Sequence, residues 1–333
     1  MNLDHAERDS RVRLKLTREM GSDIAACLGD PQVAEVMLNP DGQLWVERFG
    51  QGMQPFGVMP PSQALAFLSS VAASLHTAIT RESPILEGEL GLLDGSRIEG
   101  AIPPVVPQPI FAIRKRASVV FTLDDYVSSG ILDAAQVQLL HRAITGHQNI
   151  LVVGGTGSGK TTLVNALIAA MVALCPQDRL LIMEDTSEIQ CAAPNQVTLR
   201  TSLTVDMTLL LKACMRLRPD RILVGEVRGR EALDLLKAWN TGHPGGIATL
   251  HANSALAGLT RLEQLIGEAT PTPMPHLIAE AVHLLVYIER TPEGRRVREI
   301  VRVHGYEEGR YVSGFLFNQT DAIHHKDQPD EPI

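Results

Sequence analysis

The sequence predicts an α/β domain, its sheet covered on both faces and its first strand leading into a phosphate loop, preceded by a smaller α+β domain. Three observations carry this. A chain of 333 residues exceeds one ordinary hydrophobic core. From residue 133 onward, short apolar runs alternate with helix-forming stretches, the rhythm of a doubly wound fold. Upstream, strand-like segments predominate without that rhythm. The expected organisation is an N-terminal α+β domain over 1–116 with 1–16 as a mobile lead-in. A linker over 117–132, an α/β domain over 133–318 and a disordered tail over 319–333 follow.

Taken in order, residues 1–16 carry many charges and few apolar anchors, and Thr17–Leu28 reads as the first helix. Val33–Leu38 and Leu44–Phe49 read as strands joined at Asn39-Pro-Asp-Gly42, a hairpin. Ser62 is placed to cap a helix reaching Thr77, with Ala64, Leu65, Leu68, Val71 and Leu75 on its apolar side. Short strands are expected at 85–90, 97–102 and 110–115, with Asp94-Gly95 turning between the first two. Residues 117–129 are small and polar, without sustained period, and read as connector. Beyond them come helix 133–145, strand 149–153, helix 160–173, strand 179–183 and helix 206–216. Strand 221–225, helix 230–241, strand 246–251 and helix 254–267 continue the series. The end, 319–333, is polar and proline-bearing. No internal repeat is visible.

Composition narrows the function. Thirty basic and 38 acidic residues give a net charge of −8. Residues 1–120 hold 11 basic and 14 acidic side chains, and the remainder 19 and 24, so neither part is a basic body. Broad electrostatic binding to nucleic acid is therefore not expected. The most apolar run, Leu163–Cys175, is interrupted by Asn165 and is too short to span a bilayer. The charged N-terminus lacks the apolar centre of a secretory signal. Four cysteines without CxxC spacing suit a reducing compartment better than disulfides or zinc. A soluble, cytoplasmic protein is expected.

The chemistry is concentrated in four segments. Gly154, Gly155, Thr156, Gly157, Ser158, Gly159, Lys160 and Thr161 fit GxxxxGK[ST] between the apolar Ile150–Val153 and a helix that continues through Thr162. Glycines let backbone N–H groups curl round phosphate oxygens, and the helix N-terminus adds a favourable dipole. In such a loop Lys160 reaches the β- and γ-phosphates, and the Thr161 hydroxyl serves Mg²⁺. Hydrolysis also needs carboxylates. Glu184-Asp185, with Glu188 behind, and Glu226 each follow an apolar strand, where open α/β sheets place ligands. His251, after a further strand, reads equally as a structural hydrogen-bonder or a γ-phosphate sensor. Arginines at 216, 218, 221, 228 and 230 read as a nucleic-acid patch, a solvated face or a subunit boundary. The absence of interleaved aromatics makes the first the weakest.

Together these segments resemble the secretion-superfamily traffic ATPases, most closely the type IV secretion and conjugal transfer (TrbB-like) branch, over about residues 18–315. The ordered set is the phosphate loop 154–161, Met183-Glu-Asp-Thr-Ser-Glu188, Leu223-Val-Gly-Glu-Val-Arg-Gly229 and Gly246-Ile-Ala-Thr-Leu-His-Ala-Asn253. Upstream, Asp94-Gly-Ser-Arg97 and Ile113-Arg114-Lys115 are similar to the family's nucleotide-facing arginines. The resemblance implies a RecA-like domain, ATP and Mg²⁺ as ligands, and a hexameric ring with nucleotide between the two domains. It implies Glu226 as the Walker-B acid, holding Mg²⁺ with Thr161, directly or through water. Glu184 and Glu188 become aspartate-box acids, His251 the histidine-box residue, and Arg114 and Arg97 phosphate contacts. Which of Arg200, Arg216, Arg218 and Arg228 acts across the ring stays open.

The expected role is a Mg²⁺-ATPase motor powering conjugal transfer or type IV secretion, in pilus assembly or substrate transfer, its domains swinging about the connector. It would work beside inner-membrane secretion-complex proteins, with only peripheral membrane attachment. The alternatives are a pilus-retraction or type II secretion ATPase and a DNA translocase. The lack of a paired-CxxC insertion and the Leu38-Asn-Pro-Asp-Gly42 hairpin with Trp45 favour the conjugation branch.

Overall fold

The structure is a computed structural model that describes residues 2–48, 51–115, 120–202 and 204–318. The chain divides into two compact units, 1–118 and 119–333, each taken by itself below.

In the first unit, α1 (Asn2–Met20), α2 (Ser22–Gly29) and α3 (Pro61–Ser74) accompany one sheet. Its strands are β1 (Val33–Leu38), β2 (Gln43–Arg48), β3 (Gln54–Val58), β4 (Ile85–Glu89), β5 (Arg97–Ala101) and β6 (Ile110–Arg114). They pair antiparallel in the order β3-β2-β1-β6-β5-β4. The β1–β2 hairpin forms as expected, with Gly42 at φ 81°.

The lead-in expected to be mobile is helical instead. Val12, Leu16 and Met20 recur every four residues, and Leu16 and Met20 are buried in the core, which anchors α1. Gln63 Nε2 donates to the Glu19 carbonyl at 2.9 Å, tying α1 to α3. Gly21, at φ 86°, ends α1, so the helix expected over 17–28 is two. Helix α3 begins at Pro61 behind Pro60 rather than under a Ser62 cap. Strand β3 was not anticipated. Its Pro55 cannot donate to a ladder, and the strand is tolerated because it lies at the sheet edge.

The second unit centres on an eight-stranded sheet, order β14-β13-β12-β7-β11-β10-β8-β9. Its elements run α4 (Leu123–Ser128), α5 (Ala134–Thr145), β7 (Ile150–Val153), α6 (Lys160–Leu174), β8 (Leu180–Glu184) and β9 (Gln196–Arg200). Then come α7 (Met207–Cys214), β10 (Arg221–Val224), α8 (Glu231–Asn240), β11 (Ile247–Leu250), α9 (Ala255–Gly267) and α10 (Pro275–Ala281). Strands β12 (Leu284–Thr291), β13 (Gly294–Glu307) and β14 (Arg310–Asn318) close the series. From β12 to β9 the pairing is parallel; β13 and β14 are antiparallel additions. Alternate residues of β7 enter opposite cores: Ile150 and Val152 pack with α5 and α6, Leu151 and Val153 with α7 to α10. That is the two-faced covering the apolar runs require.

Two differences have physical causes. The stretch expected as linker, 117–132, contains α4, capped reciprocally by Thr122 and Asp125, with Leu123, Tyr126 and Leu132 buried against α5 and α6. Six helical residues are too few to show a period. Strand β9, helix α10 and strands β12–β14 lie outside the expected series; the β13–β14 segment is rich in charge and leaves much of its surface exposed, which hides its strand pattern. The segment expected as a disordered tail, 319–333, lies outside the described residues.

Close approach rather than backbone freedom requires glycine at 246. A Cβ there would meet Trp239 Nε1 at 2.1 Å and the Ile222 carbonyl at 2.3 Å, where the indole N–H donates at 3.1 Å. Gly246→Ala is expected to cost about 2–4 kcal/mol by overpacking this core. Urea unfolding should show a lowered midpoint at unchanged slope, and an unaltered midpoint would contradict the packing argument.

Candidate nucleotide-binding site

The parallel strands β7, β11, β10 and β8 lie side by side and are buried throughout, and the polar groups of the candidate site fall at or just past their C-terminal ends. After β7 comes the loop 154–159, and α6 begins at Lys160. Gly157 and Gly159 have φ of 69° and 98°, and Gly159 is the left-handed N-cap of α6. A Cβ on Gly154 would stand 2.3 Å from the Ile288 carbonyl, so β12 closes the loop from beside. Thr156 and Gly157 are exposed at the tip, Gly155 half-buried. Ser158 is buried, and its hydroxyl turns inward towards Gly154. Thr161 and Thr162 are half-buried on the first turn of α6.

Lys160 is 8 % exposed, so its ammonium needs internal partners. Nζ donates to the carbonyls of Gly154 and Gly155, both at 3.0 Å, and lies 3.3 Å from His251 Nδ1. His251 Nε2 is 2.9 Å from Glu226 Oε1. A neutral imidazole with its proton on Nε2 satisfies both contacts, accepting from Lys160 and donating to Glu226. Partial burial and the Lys160 charge hold the His251 pKa below its usual value, which favours that neutral form.

The acids expected to act together occupy different positions. Glu188 Oε2 accepts from the Thr161 hydroxyl at 3.0 Å. Glu184, 2 % exposed at the end of β8, instead accepts from the N–H groups of Glu188 and Ile189 at 2.8 and 2.7 Å. It holds the 185–189 turn. Asn165 on α6 fastens the same turn, donating to the Glu188 carbonyl at 3.1 Å and accepting from the Gln190 N–H at 2.9 Å. In the sequence Asn165 reads only as a break in an apolar run; an amide one turn after Thr161 in an otherwise apolar stretch was the available signal.

Two further groups were missed or misread. Arg295, on the unforeseen β13, has its side chain against Gly159. Arg221 is no surface arginine: it is fully buried, with Nε 2.5 Å from Asp178 and Nη groups donating to the Gly245 and Ile144 carbonyls. Arg200 donates to Ser187 at 2.6 Å. Arg97 and Arg114 are brought together as opposite residues of β5 and β6 in the first unit, with Glu87 ion-paired to Arg97.

A glycine-rich loop at a helix N-terminus, a lysine within it and acids at neighbouring strand ends define a RecA-like ATPase domain behind a separate N-terminal domain, and the comparisons agree. The chain belongs to the Type II/IV secretion system protein family, which matches residues 97–297. It is 54% identical over 301 residues to the probable conjugal transfer protein TrbB of Sinorhizobium fredii, covering 90% of this chain and 92% of that one. To the conjugal transfer protein TrbB of Rhizobium radiobacter it is 53% identical over 301 residues, covering 90% and 93%. The X-ray structure of the Legionella pneumophila ATPase DotB has the same fold, with TM-score 0.58 at 16% identity, covering 91% of this chain and 82% of that one.

Burial is the main cause raising the Glu184 pKa, so the native state favours its protonated form. That contribution is complete below the ordinary value of 4.5 and is lost as pH rises through the raised native value. Glu184→Gln lacks the titration, so its melting temperature relative to wild type should be higher at pH 7 than at pH 4. Differential scanning calorimetry at the two pH values checks this, and an equal difference at both would mean burial does not dominate.

Proposed function

We propose that the chain hydrolyses ATP with Mg²⁺ as a hexameric motor of conjugal transfer or type IV secretion. The observation that carries the reading is the chain of contacts Lys160–His251–Glu226 beside the Thr161–Glu188 pair. It joins a phosphate-binding cation to a candidate water-orienting carboxylate.

In this reading the N–H groups of the loop and of the first turn of α6 bind the phosphates. Lys160 exchanges the Gly154 and Gly155 carbonyls for phosphate oxygens, and His251 loses a donor at Nδ1, so phosphate arrival is felt at Glu226. Glu226 orients the attacking water and accepts its proton as the terminal phosphoryl group leaves ADP. A hydroxyl with carboxylate neighbours is the hard-oxygen set that suits Mg²⁺, and Thr161 with Glu226, directly or through water, would hold it. The bound ion supplies charge neutralisation on the phosphates. Arg97 and Arg114 are the phosphate-facing arginines that the family likeness implies.

The conjugation setting rests on the TrbB relatives, whose names place them in conjugal transfer. The hexamer and the inner-membrane complex are carried by family likeness. No helix among the described residues is long and apolar enough to cross a membrane. The DNA-translocase reading is weakened by the burial of Arg221, which removes one member of the arginine cluster.

Purified protein should turn over ATP, with activity rising as a six-subunit species forms in a concentration series followed by mass measurement. Lys160→Ala should reduce turnover to background with the fold intact by circular dichroism. Glu226→Gln should lower kcat by about 10²–10³-fold, the scale of losing a transition-state contact. A Lys160→Ala protein as active as wild type would sink the assignment.

A further inference from the structure

Arg228 is the one arginine of the 216–230 cluster whose guanidinium sits on a carboxylate of the proposed hydrolytic site. It follows Glu226 by two residues, with the buried Val227 between them. Nη2 donates to Glu226 Oε2 at 2.8 Å, and Nη1 stands 3.8 Å from Asp185 Oδ2. Because His251 holds Oε1, the two oxygens of Glu226 have separate partners, which fixes the plane of the carboxylate. The loop beneath is set by main-chain bonds. The Val227 N–H donates to the Thr249 carbonyl at 3.0 Å, and Glu231 Oε1 accepts from the N–H groups of Arg228 and Gly229 at 2.6 and 2.8 Å. The geometry is therefore in place within a single subunit.

An arginine that serves a neighbouring subunit has to present its guanidinium to that neighbour's phosphates. Arg228 directs its guanidinium at Glu226 and Asp185 of its own chain. We propose that Arg228 is a positioning residue acting in cis, holding the Glu226 carboxylate in the orientation in which it receives the attacking water. The proposal rests on the ATPase reading above. It removes Arg228 from the candidates for action across the ring.

The test compares wild type, Arg228→Ala and Arg228→Lys in steady-state ATP hydrolysis, with binding of a fluorescent ADP analogue measured separately. Removal of an outer-shell partner of this kind lowers activity by about 10–100-fold. Arg228→Ala is expected to lose that factor in kcat with KM and analogue affinity unchanged, and Arg228→Lys to recover part of it. Mixing Arg228→Ala with Lys160→Ala subunits should restore nothing, since no subunit then holds both groups.

A wild-type kcat in Arg228→Ala, a raised kcat, or loss of analogue binding would each overturn the proposal. So would recovery on mixing, which requires action in trans. A wild-type protein that fails to hydrolyse ATP defeats the ATPase reading itself and this proposal with it. That result is distinct from an active wild type with an equally active variant.

Discussion

The four central parallel strands are buried on both faces, and the placement of the site follows from that constraint. A strand packed between two helical layers has no room for an unpaired charge along its length. Polar chemistry is therefore displaced to the strand ends. Val153 leads into the phosphate loop, Glu184 ends β8, Gly225-Glu226 follow β10, and His251 follows β11. Parallel pairing aligns these ends, with Leu250 opposite Val153 and Val224 opposite Met183. Four segments far apart in the chain thus meet along one edge of the sheet.

The groups at that edge divide into those that face the reaction and those that hold them. Lys160, Thr161, Glu188, Glu226 and His251 form the first set on the proposed mechanism. Glu184 and Asn165 form the second, since their hydrogen bonds go to the main chain of the 185–190 turn. A buried carboxylate that accepts two N–H bonds is satisfied on one oxygen and desolvated on the other, which explains why burial dominates its proton affinity. The neighbouring Glu188 is free to meet Thr161 because Glu184 carries the load of shaping the turn.

Much of this was legible without coordinates. The Gly154–Thr161 spacing, the apolar runs before it, and acids after two further apolar runs are local patterns set by the chemistry of a helix N-terminus and of two-faced burial. The β1–β2 hairpin was legible from Asn39-Pro-Asp-Gly42 for the same local reason. Three segments were read differently from the fold. Helix α1 is highly charged, and its three anchoring residues are sparse; α4 is too short for periodicity; β13 is rich in arginine, and β13 and β14 leave much of their surface exposed. Each is held by packing against residues distant in sequence, which no window along the chain contains.

The same division applies to individual side chains. Residue type and spacing determined that a lysine, a threonine, three glutamates and a histidine belong to one edge of one sheet. Tertiary structure decided which partners each one meets there. Arg221 and Arg228 are seven positions apart in one cluster of identical residues, yet one is sealed at the start of β10 with Asp178 and the other lies over Glu226. A guanidinium's role depends on which carboxylate and how much water it meets, and both are supplied by residues that only folding brings near.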